Sequence, residues 1–240
     1  MRLRIVFQGS VPKDDGPDAT NEDSIAVDEA RQRFALSDGA SESYHSGLWS
    51  KLLSEAWVAG GHHVSRTGLE SVIRRYEEAC DPESLSWSKR GAFDRGSFAT
   101  LLGIEVRGDA LRVTAFGDSI VVASPIDESF RSFPYTTVDE FERRPLLLAT
   151  VRVANVEVLQ RRAARSKIVR WPLAPGIALL AMTDALGQWL FRQNANDSSR
   201  SALEQIRTVA QLSALVDSER AAGRMRRDDT TLLHLQPEVV

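Results

Sequence analysis

Cysteine is nearly absent from this chain, since Cys80 is the single cysteine among 240 residues. One cysteine cannot form an internal disulfide, a CxxC redox pair or a zinc site built from thiolates. Long apolar runs are also missing, because the longest, Ile177 to Met182, is far shorter than the roughly 18 residues of a membrane-spanning helix. The first residues turn polar too soon for a signal peptide. We therefore expect a cytoplasmic protein that does not enter a membrane.

An excess of charge of one sign is absent as well. The formal net charge is -3, so no general electrostatic attraction to nucleic acid or to an acidic membrane surface is expected. The motifs GxGxxG, GxxxxGK[ST] and HExxH do not occur, which leaves nucleotide-binding and metalloprotease hypotheses without support. With 42% hydrophobic residues, the chain can bury one substantial core, and we expect a single domain over residues 1–240.

The apolar pattern predicts a β-hairpin near the N-terminus. Two short apolar runs, Ile25 to Val27 and Phe34 to Leu36, flank a polar turn at 28–33, which is typical of paired antiparallel strands. Three later runs suit an antiparallel meander: Phe98 to Val106, Leu111 to Phe116 and Ile120 to Ser124. Four further strands are expected at Leu3 to Phe7, Val153 to Leu159, Ile177 to Met182 and Thr231 to Leu235.

Helices are expected where apolar residues recur every three or four positions. Segments 48–57 and 69–76 show this spacing, which is typical of amphipathic helices. A third helix is expected from Ser201 to about Arg220. Residues 81–95 are predicted to be a polar linker. Residues 125–150 form an irregular insertion with a short helical run near 138–143, and a long insertion of this kind between strands is often functional.

Four aspartates stand directly before or after predicted strands: Asp23, Asp38, Asp184 and Asp228. One such residue would need no special explanation, because aspartate favours turns. Four of them, if the strand ends converge, would repel one another unless positive charge lay between them. Hard oxygen ligands favour Mg²⁺ or Mn²⁺ over zinc. The pattern therefore predicts a divalent metal site at the ends of the strands.

Six motifs now carry a family resemblance. They are N-E-D at 21–23, F-A-L-S-D-G at 34–39, G-S-F-A-T at 96–100, G-D-S at 117–119, L-L-A-M-T-D at 179–184 and D-D-T-T at 228–231. In this order, over almost the whole chain, they resemble the motifs of the metal-dependent, type 2C (PPM) Ser/Thr protein phosphatases of bacterial type. The resemblance implies an α+β fold, a four-layer α-β-β-α sandwich of two antiparallel sheets flanked by helices.

The resemblance also implies a binuclear Mn²⁺ or Mg²⁺ site with these ligands: Asp23, Asp38, the Gly39 carbonyl, Asp184 and Asp228. Asp38 would bridge the two ions, Glu22 would act through metal-bound water, and Asp118 matches an acid linked to a third, weaker ion. The implied reaction is hydrolysis of phosphoserine and phosphothreonine monoesters. A hydroxide held by two metals roughly 3.5 to 4 Å apart would attack the phosphorus in line, so Asp23 and Asp38 would act through that water.

Two departures from the family pattern concern the substrate phosphate. Asp18 stands where relatives usually have a phosphate-clamping arginine, and Ala40 stands where some members place a histidine. An arginine fork holds a phosphate in two places, so Lys13 or Arg165, from the basic segment 161–170, is expected to replace it. That basic segment is also explained by a solvated face, or by a docking surface for an acidic partner.

The expected partner is a phosphorylated protein, with a Ser/Thr kinase opposing the reaction in a signalling pair. The 125–150 insertion lies where the family carries a variable flap, so it is expected to influence substrate choice. The alternative is a catalytically impaired pseudophosphatase that binds phosphoproteins or regulates them, and the replaced arginine supports it. A structural domain with fortuitous acids is a third hypothesis. A GDS-type esterase is disfavoured, because G-D-S lies in mid-chain and no Asp-x-x-His exists.

Overall fold

The computed structural model describes residues 1–16, 19–60, 64–124, 130–160, 168–193 and 197–239. Within them the chain forms twelve strands and seven helices. The strands are β1 (Arg2–Val11), β2 (Ser24–Asp28), β3 (Arg33–Ser37), β4 (Phe98–Ala99), β5 (Leu101–Arg107), β6 (Ala110–Phe116), β7 (Ile120–Ser124), β8 (Arg131–Phe133), β9 (Leu148–Ala149), β10 (Ile168–Pro172), β11 (Ala178–Met182) and β12 (Thr230–Glu238). The helices are α1 (Ser46–Gly60), α2 (Arg66–Cys80), α3 (Trp87–Arg95), α4 (Ala154–Gln160), α5 (Asp184–Arg192), α6 (Asp197–Glu204) and α7 (Val209–Ala221).

Two five-stranded sheets form the centre of the molecule. The first has the order β1-β12-β11-β7-β8 and the second the order β10-β6-β5-β3-β2. All neighbouring strands in both sheets are antiparallel. Apolar side chains of both sheets, among them Leu179 and Leu233 of the first and Leu36 and Ile104 of the second, share one core cluster. The sheets therefore pack face to face, as in other β-sandwiches.

Helices cover the outer face of each sheet. Residues of α5 and α7 pack against Leu180 and Met182 of β11, whereas α1 and α2 pack against Ala35 and Leu101 of the second sheet. Because successive side chains of β11 point alternately into the central core and under the helices, this strand is apolar along its whole length. The four-layer α-β-β-α sandwich predicted from the motifs is confirmed.

The predicted hairpin has the expected register. Ile25 pairs with Leu36 and Val27 with Phe34, while Ser24 lies opposite Ser37. Asp23 precedes Ser24 and Asp38 follows Ser37, so both acids leave the hairpin at the same edge of the second sheet. The meander is confirmed too, except that its first run divides into β4, which pairs with β9, and β5, which pairs with β3 and β6.

Several predicted elements are wrong in type or extent. Residues 153–159, predicted as a strand, belong to helix α4, because buried Asn155 bonds the backbone of Ala149 while Val153 and Val156 face solvent. Tertiary contacts here outweigh the strand propensity of valine. The single helix expected from residue 201 to 220 is two helices, since Thr208 caps a new one with Gln211.

Other differences are omissions. The predicted linker 81–95 contains α3, and helix α5 and strand β10 were not predicted. The short helical run in the 125–150 insertion is a 3₁₀ turn at Val138–Glu142. In the described part of the chain, no helix combines the length and apolarity needed to cross a membrane.

Candidate functional site

The ends of four strands meet at one edge of the sandwich. In the second sheet, β2 begins after Asp23 and β3 ends before Asp38. In the first sheet, Met182 at the end of β11 pairs with Leu232 near the start of β12, which brings Asp184 and Asp228 to the same edge. A hydrogen bond joins the two sheets here, because Thr231 Oγ1 donates to Asp23 Oδ2 over 2.6 Å.

A pocket of about 310 Å³ opens at this edge. Its walls hold most of the predicted ligand positions: Asp38, Gly39, Asp118, Asp184 and Asp228. Asp118 reaches the pocket from the turn between β6 and β7, where Gly117 has a φ of +91° that favours glycine. Asp23 lies beside the pocket, near enough for its charge to raise the pKa of Asp38. The structure thus brings the widely separated aspartates of the sequence together.

Burial and mutual repulsion raise the pKa of these carboxyl groups. Burial is the main cause for Asp38, whose pKa lies well above its usual value, and the charges of Asp23 and Asp184 add to it. Burial likewise raises the pKa of Asp23 to about 8, with further contributions from Asp229 and Asp184. The pKa of Asp118 rises to about 7 through burial and the charge of Asp184. Such a cluster holds its negative charge only when positive charge is present.

Arg226 supplies one positive charge to this cluster. Its guanidinium donates to Asp184 Oδ2 and, over 3.0 Å, to Asp228 Oδ2, and its side chain also lines the pocket. No motif marked Arg226 in the sequence. The only signal was its place two residues before Asp228 in a short basic run.

The donor chemistry suits a hard divalent ion. All the side-chain donors are carboxylate oxygens, and two of them, Asp23 Oδ1 and Asp184 Oδ1, are buried without a hydrogen-bond partner in the described structure. Oxygen-only sites favour Mg²⁺ or Mn²⁺. As the side chains stand, however, no three Asp, Glu, His or Cys residues in the described ranges are arranged to hold an ion. Asp23, Asp38, Asp184 and Asp228 could bind ions only after a rearrangement that moves Arg226.

Glu22 and Lys13 form an ion pair beside the pocket. Lys13 Nζ lies 2.5 Å from Glu22 Oε2 and donates to Ser41 Oγ over 2.8 Å. Burial lowers the pKa of Lys13, but the hydrogen bond and charge of Glu22 raise it by more, so the ammonium stays charged. Ser41 lines the pocket, which places Lys13 at its rim. The other residues in the phosphate hypothesis, Asp18 and Arg165, lie outside the described residues.

Further residues that were not predicted hold the site in place. Asp229 is buried and accepts hydrogen bonds of 2.7 Å from the backbone amides of Lys13 and Glu22. Thr100 Oγ1 accepts from the Asp38 amide over 2.9 Å. At Gly39 a Cβ atom would lie 2.7 Å from the carbonyl oxygen of Ser46, so only glycine fits.

Known structures with the same fold are all phosphatases in the cases compared. The catalytic domain of PstP, a serine/threonine protein phosphatase of Mycobacterium tuberculosis, was solved with two manganese ions. It is 18% identical to this chain, with a TM-score of 0.59 over 98% of this chain and 97% of that one. The Staphylococcus aureus serine/threonine phosphatase Stp1 is 12% identical, with a TM-score of 0.59 over 100% and 98%.

PppA of Pseudomonas aeruginosa, a regulatory component of the type VI secretion system, is 19% identical, with a TM-score of 0.55 over 98% of both chains. No family model and no curated protein sequence matches the chain. At these identities the comparisons establish the fold, and they extend over nearly the full length of each chain.

Proposed function

We propose that this chain, whose fold is that of the type 2C protein phosphatases, is a metal-dependent Ser/Thr phosphoprotein phosphatase in which residues 1–240 act as one catalytic domain. The observation that carries the proposal is the convergence of Asp38, Asp118, Asp184 and Asp228 in one pocket at the sheet ends. Clustered, buried carboxylates are costly. A chain without a use for cations would gain stability by replacing them.

The proposed ligands for two Mn²⁺ or Mg²⁺ ions are Asp23, Asp38, the Gly39 carbonyl, Asp184 and Asp228. Bound there, the ions would neutralise phosphoryl oxygens and lower the pKa of an attacking water. The threonine hydroxyl on Asp23 Oδ2 orients that carboxylate, leaving its unpartnered Oδ1 as donor. Asp118 would serve a third ion.

Glu22 keeps its orientation through Lys13, Ser46 and Ser41, as expected of a side chain that acts through water. Lys13 is the candidate for phosphate binding among the described residues, because its ammonium lies at the pocket rim next to Ser41. To contact a phosphate it would have to share its charge with Glu22.

A groove beside the pocket favours a protein substrate over a small phosphoester. Its volume is about 730 Å³, and it shares Ala40, Glu42, Pro145 and Leu147 with the pocket. A peptide segment on either side of a phosphorylated residue fits such a groove. Arg144, Pro145 and Leu147 come from the 125–150 insertion, which supports its role in substrate choice. We infer a phosphorylated protein partner that a Ser/Thr kinase modifies.

The test is phosphate release from p-nitrophenyl phosphate and from a phosphothreonine peptide, with Mn²⁺ and with EDTA. Wild type is compared with Asp38→Ala and Asp184→Ala, and with Asp217→Ala on the exposed side of α7 as a matched control. Hydrolysis that needs Mn²⁺, survives in the control and is lost in both site variants is the expected result. Equal turnover in EDTA would reject the metal-dependent mechanism.

A pseudophosphatase is the second candidate, and one observation favours it. Arg226 already neutralises Asp184 and Asp228, and the described side chains are not arranged around an ion. A binding module of this kind would take up the phosphopeptide without releasing phosphate. Peptide binding by calorimetry, together with no turnover at saturating Mn²⁺, would support it over the enzyme.

A further inference from the structure

The position of Arg226 has a consequence for metal binding. Its side chain is 38% exposed, yet its guanidinium reaches inward to Asp184, a residue with only 6% of its surface exposed. It also contacts Asp228, and the charge of Asp118 acts on it as well. The arginine therefore binds the same carboxylate oxygens that a divalent ion needs.

A guanidinium and a metal ion cannot use one oxygen in the same way at the same time. The cation requires lone pairs at roughly 2.0 to 2.6 Å in a fixed geometry, whereas the guanidinium binds those lone pairs through its N–H groups. Positive charges of the two kinds also repel each other across a few ångströms. Binding of an ion to Asp184 or Asp228 must therefore displace the arginine.

We propose that Arg226 is an intramolecular competitor of the divalent ions, which holds Asp184 and Asp228 in the metal-free protein and leaves them when an ion binds. The inference rests on the proposed function for the identity of the ions. It makes the metal-free protein more stable, since the buried Asp184 keeps a partner, and it makes the apparent metal affinity weaker. In this way the site responds only when the concentration of the cation exceeds a threshold set by the arginine.

Arg227 offers a matched control in the neighbouring position. It carries the same charge, but its side chain bonds the carbonyl of Lys13 and lies 3.7 Å from both Asp14 and Asp15, away from the carboxylates of the pocket. Replacing either arginine by glutamine removes one positive charge from the same segment. Any difference between the two variants reports the contact with Asp184 and Asp228 rather than net charge.

The experiment is calorimetric titration of metal-free protein with MnCl₂, combined with thermal unfolding in EDTA and in Mn²⁺. For Arg226→Gln we expect an Mn²⁺ dissociation constant at least about tenfold lower than in wild type, a lower unfolding temperature in EDTA and a larger rise on adding Mn²⁺. Arg226→Lys, which keeps the charge without the fork, is expected to fall between them. Arg227→Gln should bind Mn²⁺ within about twofold of wild type.

Equal or weaker Mn²⁺ binding by Arg226→Gln than by Arg227→Gln would overturn the proposal. If Arg226→Gln does not fold in EDTA, it is purified in Mn²⁺ and its affinity is measured against a chelator, and Arg226→Lys provides the second comparison. Tighter binding by Arg226→Gln without phosphatase activity in any variant would uphold the competition and reject the proposed function. Mn²⁺-dependent hydrolysis with equal affinities would do the reverse.

Discussion

The carboxyl group of Asp23 provides a quantitative test of the buried acidic cluster. Its pKa rises from 3.8 to about 8, first because of burial and then because of Asp229 and Asp184. A folded-state pKa above the unfolded one means that the folded protein binds this proton more tightly. The resulting stability is complete below about pH 4 and is lost as the pH rises towards 8.

The magnitude follows from about 1.4 kcal/mol per pKa unit. Between pH 5 and pH 8.5 the unfolding free energy of the metal-free protein should fall by about 4 kcal/mol on account of Asp23 alone. Asp23→Asn is isosteric and cannot ionise, and its amide oxygen can still accept from Thr231. The unfolding free energy of this variant, minus that of wild type, is therefore expected to grow by about 4 kcal/mol over this range.

Urea unfolding in EDTA, followed by circular dichroism at pH 5 and pH 8.5, measures this difference. The control is Asp28→Asn. Bonds from the Arg31 backbone and side chain lower the pKa of Asp28, so it stays ionised in both states and its effect should not change over this range. If Asp23→Asn and wild type lose stability in parallel, the carboxyl group is not buried as the structure places it, and the reasoning fails.

Three other substitutions test the surrounding structure. Gly103→Ala would put a Cβ atom 2.1 Å from the Trp57 ring and should cost about 3 kcal/mol by urea unfolding; an unchanged midpoint would contradict this packing. Asn155→Ala removes buried hydrogen bonds of 2.9 and 2.7 Å to the backbone of β9 and should cost about 2 kcal/mol, whereas a loss below about 0.5 kcal/mol would refute it. Thr231→Val removes the hydroxyl that lowers the pKa of Asp23 and should weaken Mn²⁺ binding about tenfold by calorimetry, and wild-type affinity would argue against Asp23 as a ligand.

Local pattern was sufficient where a segment's own residues specify its structure. The hairpin of β2 and β3 has the predicted register because alternate apolar residues on both strands must face the central core. The same logic put Asp23 and Asp38 at one sheet edge. Failures came where distant contacts decide: α4 is helical although it is rich in valine, since Asn155 is held by β9, and α5 was missed although it packs on β11.

The candidate site divides in the same way. The sequence alone determined the oxygen donors, because aspartates at strand ends can be recognised from the motifs that contain them, and the structure places Asp38, Asp118, Asp184 and Asp228 in one pocket. Whether each binds a metal remains a prediction. Only the tertiary structure revealed that Arg226 lies among these carboxylates and that Asp229 holds the backbone of Lys13 and Glu22. A side chain's charge can be read from its residue type, but the partner that balances it is set by packing between segments far apart in the chain.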